Sequence, residues 1–150
     1  MRSTRQRVQV STAPEINDRI AEATRESVAY FRSHKDEIPE RLTELDREWD
    51  IERAIEANAS TLALSGVLLG AVSDRRWLVL PALVSAFLLQ HAIQGWCPPV
   101  PILRRLGFRT ADEINKERYA LKALRGDFEG VGRQESTLDR VLAAVGLAPK

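Results

Sequence analysis

Cysteine, histidine and aromatic side chains are scarce in this chain, and formal charge is missing from two long stretches of it. A single cysteine, Cys97, excludes an intrachain disulfide, and with only two histidines there is no Cys/His spacing for a metal, so neither metal nor cofactor is expected. The first part of the chain has no apolar core of about 7–15 residues behind a basic start, so no cleavable signal peptide is expected. There is no internal repeat and no low-complexity tract. A net charge of +1 offers no argument for nucleic acid, and none is expected as a partner.

The missing charge is the informative absence. Trp77 to Leu103 form 27 consecutive residues without a formal charge, and Ala57 to Ser73 form 17 more. A helix crossing about 30 Å of hydrocarbon needs about 20 mostly apolar residues at 1.5 Å each, so the second run is ample and the first is near the lower limit. Between them stands only the turn Ser73-Asp74-Arg75-Arg76. Average composition, 29% charged with a mean hydropathy of −0.25, hides this segregation. The competing reading is two core helices of a small soluble bundle. Such helices are usually amphipathic rather than apolar all round.

The expected fold is therefore all-α: an integral membrane protein with a two-helix transmembrane hairpin and amphipathic cytoplasmic helices on both sides. A basic, disordered tail is expected over 1–11 and amphipathic helices over 12–56. The hairpin falls at 57–107, with spans at about 57–73 and 77–97. A basic helix follows over 108–126, then a linker and short C-terminal helix over 127–150. Near the membrane ends, Arg41, Arg47, Arg53, Arg104, Arg105, Arg109, Lys116, Arg118 and Lys122 outnumber Arg75 and Arg76 in the turn. The positive-inside rule then puts both termini in the cytoplasm.

Helix signals punctuate the flanks. Thr12-Ala13-Pro14-Glu15 and Thr110-Ala111-Asp112-Glu113 both match the capping box, in which hydroxyl and carboxylate each satisfy a free backbone amide. The first predicts a helix to about Lys35, with Ile16, Ile20, Ala23 and Phe31 along one side, and Pro39 marks a break or a fresh start. The second predicts a helix over 111–125, closed by Gly126. Ser136 or Thr137 caps the last helix. From Pro39 to Glu56, Ile38, Leu42, Leu45 and Trp49 form a narrow apolar stripe, while Glu40, Glu44, Glu48, Glu52 and Glu56 recur every fourth residue. Residues 36–56 carry a net −6 and residues 104–125 a net +4. The two segments either pair or present solvated charged faces.

Within the hairpin, Ala59, Ala63, Gly66, Gly70 and Ser73 share one helix face. Such a small-residue stripe lets backbones approach closely, with the second span or across a dimer. Trp77 and Trp96 bracket the second span as interfacial anchors, about 28 Å apart if the helix is unbroken. Gln90, His91 and Gln94 are the strongly polar side chains of that span. They either line a polar path in an oligomer or hydrogen-bond Asn58, Ser60 and Thr61 across the hairpin.

The second span exits through Gly95-Trp96-Cys97-Pro98-Pro99, followed by Ile102, Leu103, Leu106 and Gly107. Two short spans ending in glycine, aromatic, cysteine and proline resemble the YgaP-like transmembrane domain of bacterial inner-membrane proteins, over residues 57–107. That resemblance implies a multi-pass inner-membrane hairpin, homodimers and, in members fused to a rhodanese domain, an association with sulfane-sulfur transfer. No rhodanese domain is expected in these residues, and Cys97, their single cysteine, is the one candidate reactive thiol. A thiolate there would be favoured by Arg104 and Arg105 and opposed by apolar burial. The expected function is a non-enzymatic, self-associating membrane module whose partners are the lipid bilayer, a second copy and a cytoplasmic protein. The alternative is sulfur-species handling, by a persulfide at Cys97 or by export of a small sulfur-containing anion through an oligomer.

Overall fold

The structure is a computed structural model that describes residues 6–129. The linker and C-terminal helix expected beyond 129, with the caps at Ser136 and Thr137, lie outside the described residues, as do positions 1–5. The described residues are mostly helical, joined by short turns, and contain no strand. In chain order they form α1 (Arg7–Val10), α2 (Pro14–Ser33), α3 (Ile38–Arg47), α4 (Ile51–Val72), α5 (Val79–Gln94), α6 (Val100–Arg105) and α7 (Ala111–Arg125). Short 3-10 turns, Lys35–Glu37 and Arg75–Leu78, precede α3 and α5. Two compact units emerge, one built from the described residues up to Ala23 with Glu48–Ile114, the other from Thr24–Arg47 with the described residues after Ile114.

In the first unit α4 and α5 form an antiparallel hairpin. Asp50 starts α4 by accepting the Arg53 amide at 2.7 Å, and Asp74 starts the turn into α5 by accepting the Arg76 amide at 2.8 Å. These carboxylates satisfy amides that a helix start leaves free. The helical stretches ending at Val72 and Gln94 are each long and apolar enough to cross a membrane. Yet only 11% of the apolar window of the first and 6% of that of the second are buried, whereas a core helix would be mostly covered.

The small-residue face resolves into distinct roles. A Cβ added to Gly66 would lie 2.5 Å from Cδ of Pro81 and 3.1 Å from Cβ of Leu80, so the second arm passes directly over this glycine. At Gly70 the nearest atom would be Cδ2 of Leu78, at 2.7 Å. Both glycines thus serve contact within one chain. Ala63 is half-buried, and Ser73 is exposed at the end of α4, where its amide donates to the Leu69 carbonyl at 2.9 Å. Pro81 sits in the first turn of α5, where a missing amide costs little.

Four features differ from the sequence expectation. The basic segment over 1–11 is helical from Arg7, and Val8, only 1% exposed, enters the core of Ile51, Ala54, Ile55, Cys97, Val100 and Leu103. Helix α2 starts at Pro14 with its first turn closed on the Ala13 carbonyl, one residue later than the Thr12 box would begin it, and the Thr12 hydroxyl donates to the Val8 carbonyl at 2.7 Å. The helix expected over 39–56 breaks between Arg47 and Ile51, so the five glutamates share no single face, and Trp49 is exposed with the Arg53 guanidinium 4.6 Å from its ring. Finally, α5 stops at Gln94 rather than 97: Gly95 adopts φ 73°, a left-handed conformation that ends the helix, and Trp96 lies beyond it. The unbroken separation of the two tryptophans therefore does not apply.

In the second unit Ile38, Leu42 and Leu45 of α3 are buried, as are Phe31 and Leu121. Fully buried Glu117 accepts from Ser27 Oγ at 2.7 Å and from Arg41 Nε at 2.9 Å. Arg118 donates to the Leu45 carbonyl and to Asp46 at 2.9 Å, an acid-to-base pairing between the two oppositely charged segments, for which the sequence leaves pairing and solvated faces open.

The two glycines make unequal demands. Pro81 is a rigid ring, whereas the Leu78 methyl can swing away, so Gly66→Ala should destabilise the hairpin by about 1–3 kcal/mol. Gly70→Ala should cost less, because the helix preference of alanine, worth about 1 kcal/mol, offsets the clash. Thermal melts in detergent followed by circular dichroism will rank the two, and a larger loss at Gly70 would contradict the packing.

Candidate functional site

The side chains with chemical potential gather where the second arm leaves the hairpin. The positive φ of Gly95 suits glycine, and an added Cβ would lie 2.5 Å from the Arg7 carbonyl carbon. Helix α1 is therefore seated directly on the end of α5, and Ser11 Oγ donates to the Gln94 carbonyl at 3.3 Å. This contact brings Arg7 to His91.

His91 is 5% exposed, and neither ring nitrogen has a hydrogen-bond partner in the protein. Arg7 Nε and Glu52 Oε2 are likewise buried and unpaired. An unsatisfied buried polar group costs about 1–3 kcal/mol, so four such atoms beside one another call for an explanation. Gln90 is half-buried and Gln94 is exposed. The hydrogen bonding expected across the hairpin is not what the polar groups of the first arm do: Asn58 donates to the Ala54 carbonyl at 2.9 Å and Thr61 to the Ala57 carbonyl at 2.7 Å, both along their own helix.

Cys97 lies beyond α5, 2% exposed, inside the apolar cluster around Ile55 and Val100. Burial pushes its thiol up from the ordinary value, although the Val100 amide opposes the shift. A raised thiol holds less of the reactive thiolate at neutral pH. Beside it opens an apolar groove of about 440 Å³ edged by Asn58, Ala59, Leu62, Phe87 and Pro98, so Ala59 of the small-residue stripe faces open space. Trp77 and Trp96 are both partly exposed, Trp77 in the 3-10 turn and Trp96 at the exit. Among the described residues no group of three or more His, Cys, Asp or Glu is placed to hold a metal ion.

Below the exit, Arg104 is completely buried, which sequence reading missed by counting it as a surface charge near the membrane end. Its guanidinium holds Glu113 bidentately, Nη1 to Oε2 at 2.7 Å and Nη2 to Oε1 at 2.8 Å. It also donates to the Phe108 carbonyl at 3.0 Å and to Asn17 Oδ1 at 2.8 Å. Gln9 Nε2 donates to Glu113 Oε1 at 3.0 Å, which ties α1 into the same network. Glu113 is also the reciprocal partner of Thr110, accepting its amide at 2.8 Å while the Glu113 amide donates to Thr110 Oγ1 at 3.3 Å. The capping box was legible in sequence. Its arginine was not, because Gly107 breaks any helical period between 104 and 113. Nearby, Arg109 clamps Glu48 with bonds of 2.7 and 2.5 Å, and its carbonyl accepts the Ile51 amide at 2.9 Å, fixing the start of α4.

Burial pushes the Glu113 carboxyl up, but hydrogen bonds from Arg104, the Thr110 amide and Gln9 outweigh it and leave the group below its usual range. The folded state thus favours the carboxylate. Its contribution to stability is complete above the unfolded value of about 4.3 and is lost as pH falls through the lower, folded value. Melts in detergent between pH 7 and pH 3 should show a steep acid limb that flattens in Glu113→Gln. Arg104→Met should lose about 3–5 kcal/mol at neutral pH, because it strands a buried carboxylate. An unchanged acid limb in Glu113→Gln would remove this role.

Compared with protein-family models, with characterised proteins and with solved structures, the chain matches none of them.

Proposed function

We propose that this chain is a bacterial inner-membrane protein in which α4 and α5 span the bilayer as a hairpin, with both termini in the cytoplasm. In this reading it works as a non-enzymatic, self-associating module that presents its cytoplasmic helices to a protein partner. One observation carries the proposal. Leu64, Leu68 and Val72 on α4 and Leu83, Leu89 and Ile93 on α5 are all more than half exposed, on helices that the chain itself hardly covers. A monomeric soluble protein rarely leaves so large an apolar face in water, whereas lipid solvates it at no cost.

Other features agree. Backbone polar groups in the two arms are satisfied within helices, as hydrocarbon requires, and Thr61 and Ser65 return their hydroxyls to carbonyls four residues back. The excess of arginine and lysine on the flanks over the turn supports the orientation. The Gly-Trp-Cys-Pro exit supports a relationship to the YgaP-like hairpins. With Gly66 and Gly70 committed to the second arm, self-association as a dimer falls to the groove edged by Ala59, Leu62 and Phe87. Burial of Cys97 with a raised thiol weighs against a persulfide carrier.

Single-cysteine variants in a Cys97→Ala background test the topology. A cysteine at Ser73 should react with a membrane-impermeant maleimide added from the periplasmic side, and one at Lys35 only after lysis. Both proteins should stay with the membrane through alkaline washing. Release by the wash, or the opposite labelling pattern, would overturn the reading.

A further inference from the structure

The unpaired polar atoms at the end of α5 share one wall. Arg7, Glu52, Glu56 and His91, with Leu88 and Ala92, line a partly open cavity of about 160 Å³, with Glu56 and Ala92 at its exposed side. Arg7 Nε, Glu52 Oε2 and both nitrogens of the nearly inaccessible His91 find no partner within the protein. A ligand for this cavity must both donate and accept hydrogen bonds, since the walls offer a guanidinium, two carboxylates and an imidazole. With the imidazole neutral the walls carry one excess negative charge, which calls for a cationic donor near Glu52 and Glu56 and an anionic acceptor near Arg7. No metal ion meets both demands, and no set of metal-ligating side chains is assembled among the described residues.

Position narrows the chemistry. Glu52 and Glu56 end one residue before the uncharged run that opens at Ala57, and His91 lies three residues before the last residue of α5. On the membrane reading proposed above, on which this inference rests, that level is the headgroup layer of the cytoplasmic leaflet. We infer that the pocket formed by Arg7, Glu52, Glu56 and His91 binds the phosphoethanolamine headgroup of an aminophospholipid, its ammonium donating to the two glutamates and its phosphodiester accepting from Arg7. Leu88 and the exposed apolar face beside it receive the start of the acyl chains. Charge-assisted hydrogen bonds from a primary ammonium are lost when the nitrogen is trimethylated, so the site distinguishes phosphatidylethanolamine from phosphatidylcholine although both carry the same phosphate.

Lipid retention by the full chain, purified from equimolar phosphatidylethanolamine and phosphatidylcholine of matched acyl chains and read by native mass spectrometry, tests the assignment. The wild type should retain the ethanolamine lipid over the choline lipid by about tenfold, the worth of one charge-assisted hydrogen bond. Glu52→Gln/Glu56→Gln should bring the ratio to parity, because it removes only the ammonium partners. Arg7→Met should lower retention of both lipids while leaving a preference, because it removes the phosphate partner. Parity in the wild type, or a preference that survives the double glutamine variant, overturns the headgroup site. Binding of soluble glycerophosphoethanolamine to the protein in pure phosphatidylcholine, at the affinity of the lipid, would reassign the pocket to a soluble solute and overturn the lipid source. Alkaline washing separates the two levels: a chain that remains in the membrane yet shows parity refutes the pocket alone, whereas a chain that washes out refutes the membrane reading and this inference with it.

Discussion

Apolar surface that the chain does not cover itself is the constraint from which the rest follows. Helices α4 and α5 contact each other along one narrow seam, where Gly66 and Gly70 let the second arm come within van der Waals distance of backbone, and they leave their remaining faces bare. In the membrane setting proposed above there is little hydrophobic force between such helices, so close packing and intrahelical hydrogen bonds would hold the pair. The side chains obey this economy. Asn58, Thr61 and Ser65 turn their polar groups back onto their own helix and ask nothing of the opposite arm.

The base of the hairpin is built on different physics. There the first unit places a small apolar core, centred on Val8, Ile51, Cys97 and Val100, next to a buried ionic network in which Arg104 holds Glu113 and Asn17 through its two terminal nitrogens and Gln9 holds Glu113, while Arg104 Nε stays without a partner. A buried ion pair is weak evidence of net stabilisation, because desolvation opposes the Coulomb attraction. Its value here is in register: it joins the exit of the second arm, α1, the first turn of α2 and the start of α7 at one point, and a chain that misplaced any of them would leave a buried polar group without a partner. Gly95 performs the corresponding task for α1, by admitting the backbone of Arg7 where any side chain would exclude it. The same close approach creates the polar cavity at His91.

Legibility in the sequence followed the range of the interactions. The uncharged runs and the Asp-Arg-Arg turn are local patterns, and they gave the two apolar arms and their order. The glycine seam was visible as a contact face, but its partner was not, since spacing on one helix says nothing of what lies opposite. Thr110-Glu113 was readable because a capping box is a four-residue device. Thr12-Glu15 has the same letters, but the helix begins one residue later, closed on the Ala13 carbonyl, and the Thr12 hydroxyl donates back to Val8 of a short helix that no pattern announces. Trp96 was misplaced on the helix because the left-handed turn at Gly95 ends it one residue earlier. Asn17 and His91 were beyond reach because what meets them comes from distant parts of the chain, Arg104 reaching Asn17 across 87 residues and Arg7 lining the cavity at His91, and a lone arginine at the end of an apolar run, as Arg104 is, looks the same whether it faces water or a buried carboxylate.

The central claim is that the bare faces of α4 and α5 are solvated by lipid. Nitroxide labels at Leu68 and Leu89, both more than half exposed, report this most directly when the protein is reconstituted in vesicles and collision rates with oxygen and with a water-soluble nickel chelate are compared. The account predicts frequent collisions with oxygen and few with nickel at both sites, and the reverse at Glu44 on α3. Labels at Leu68 and Leu89 that meet nickel as often as Glu44 does, or that are shielded from both reagents, would contradict it.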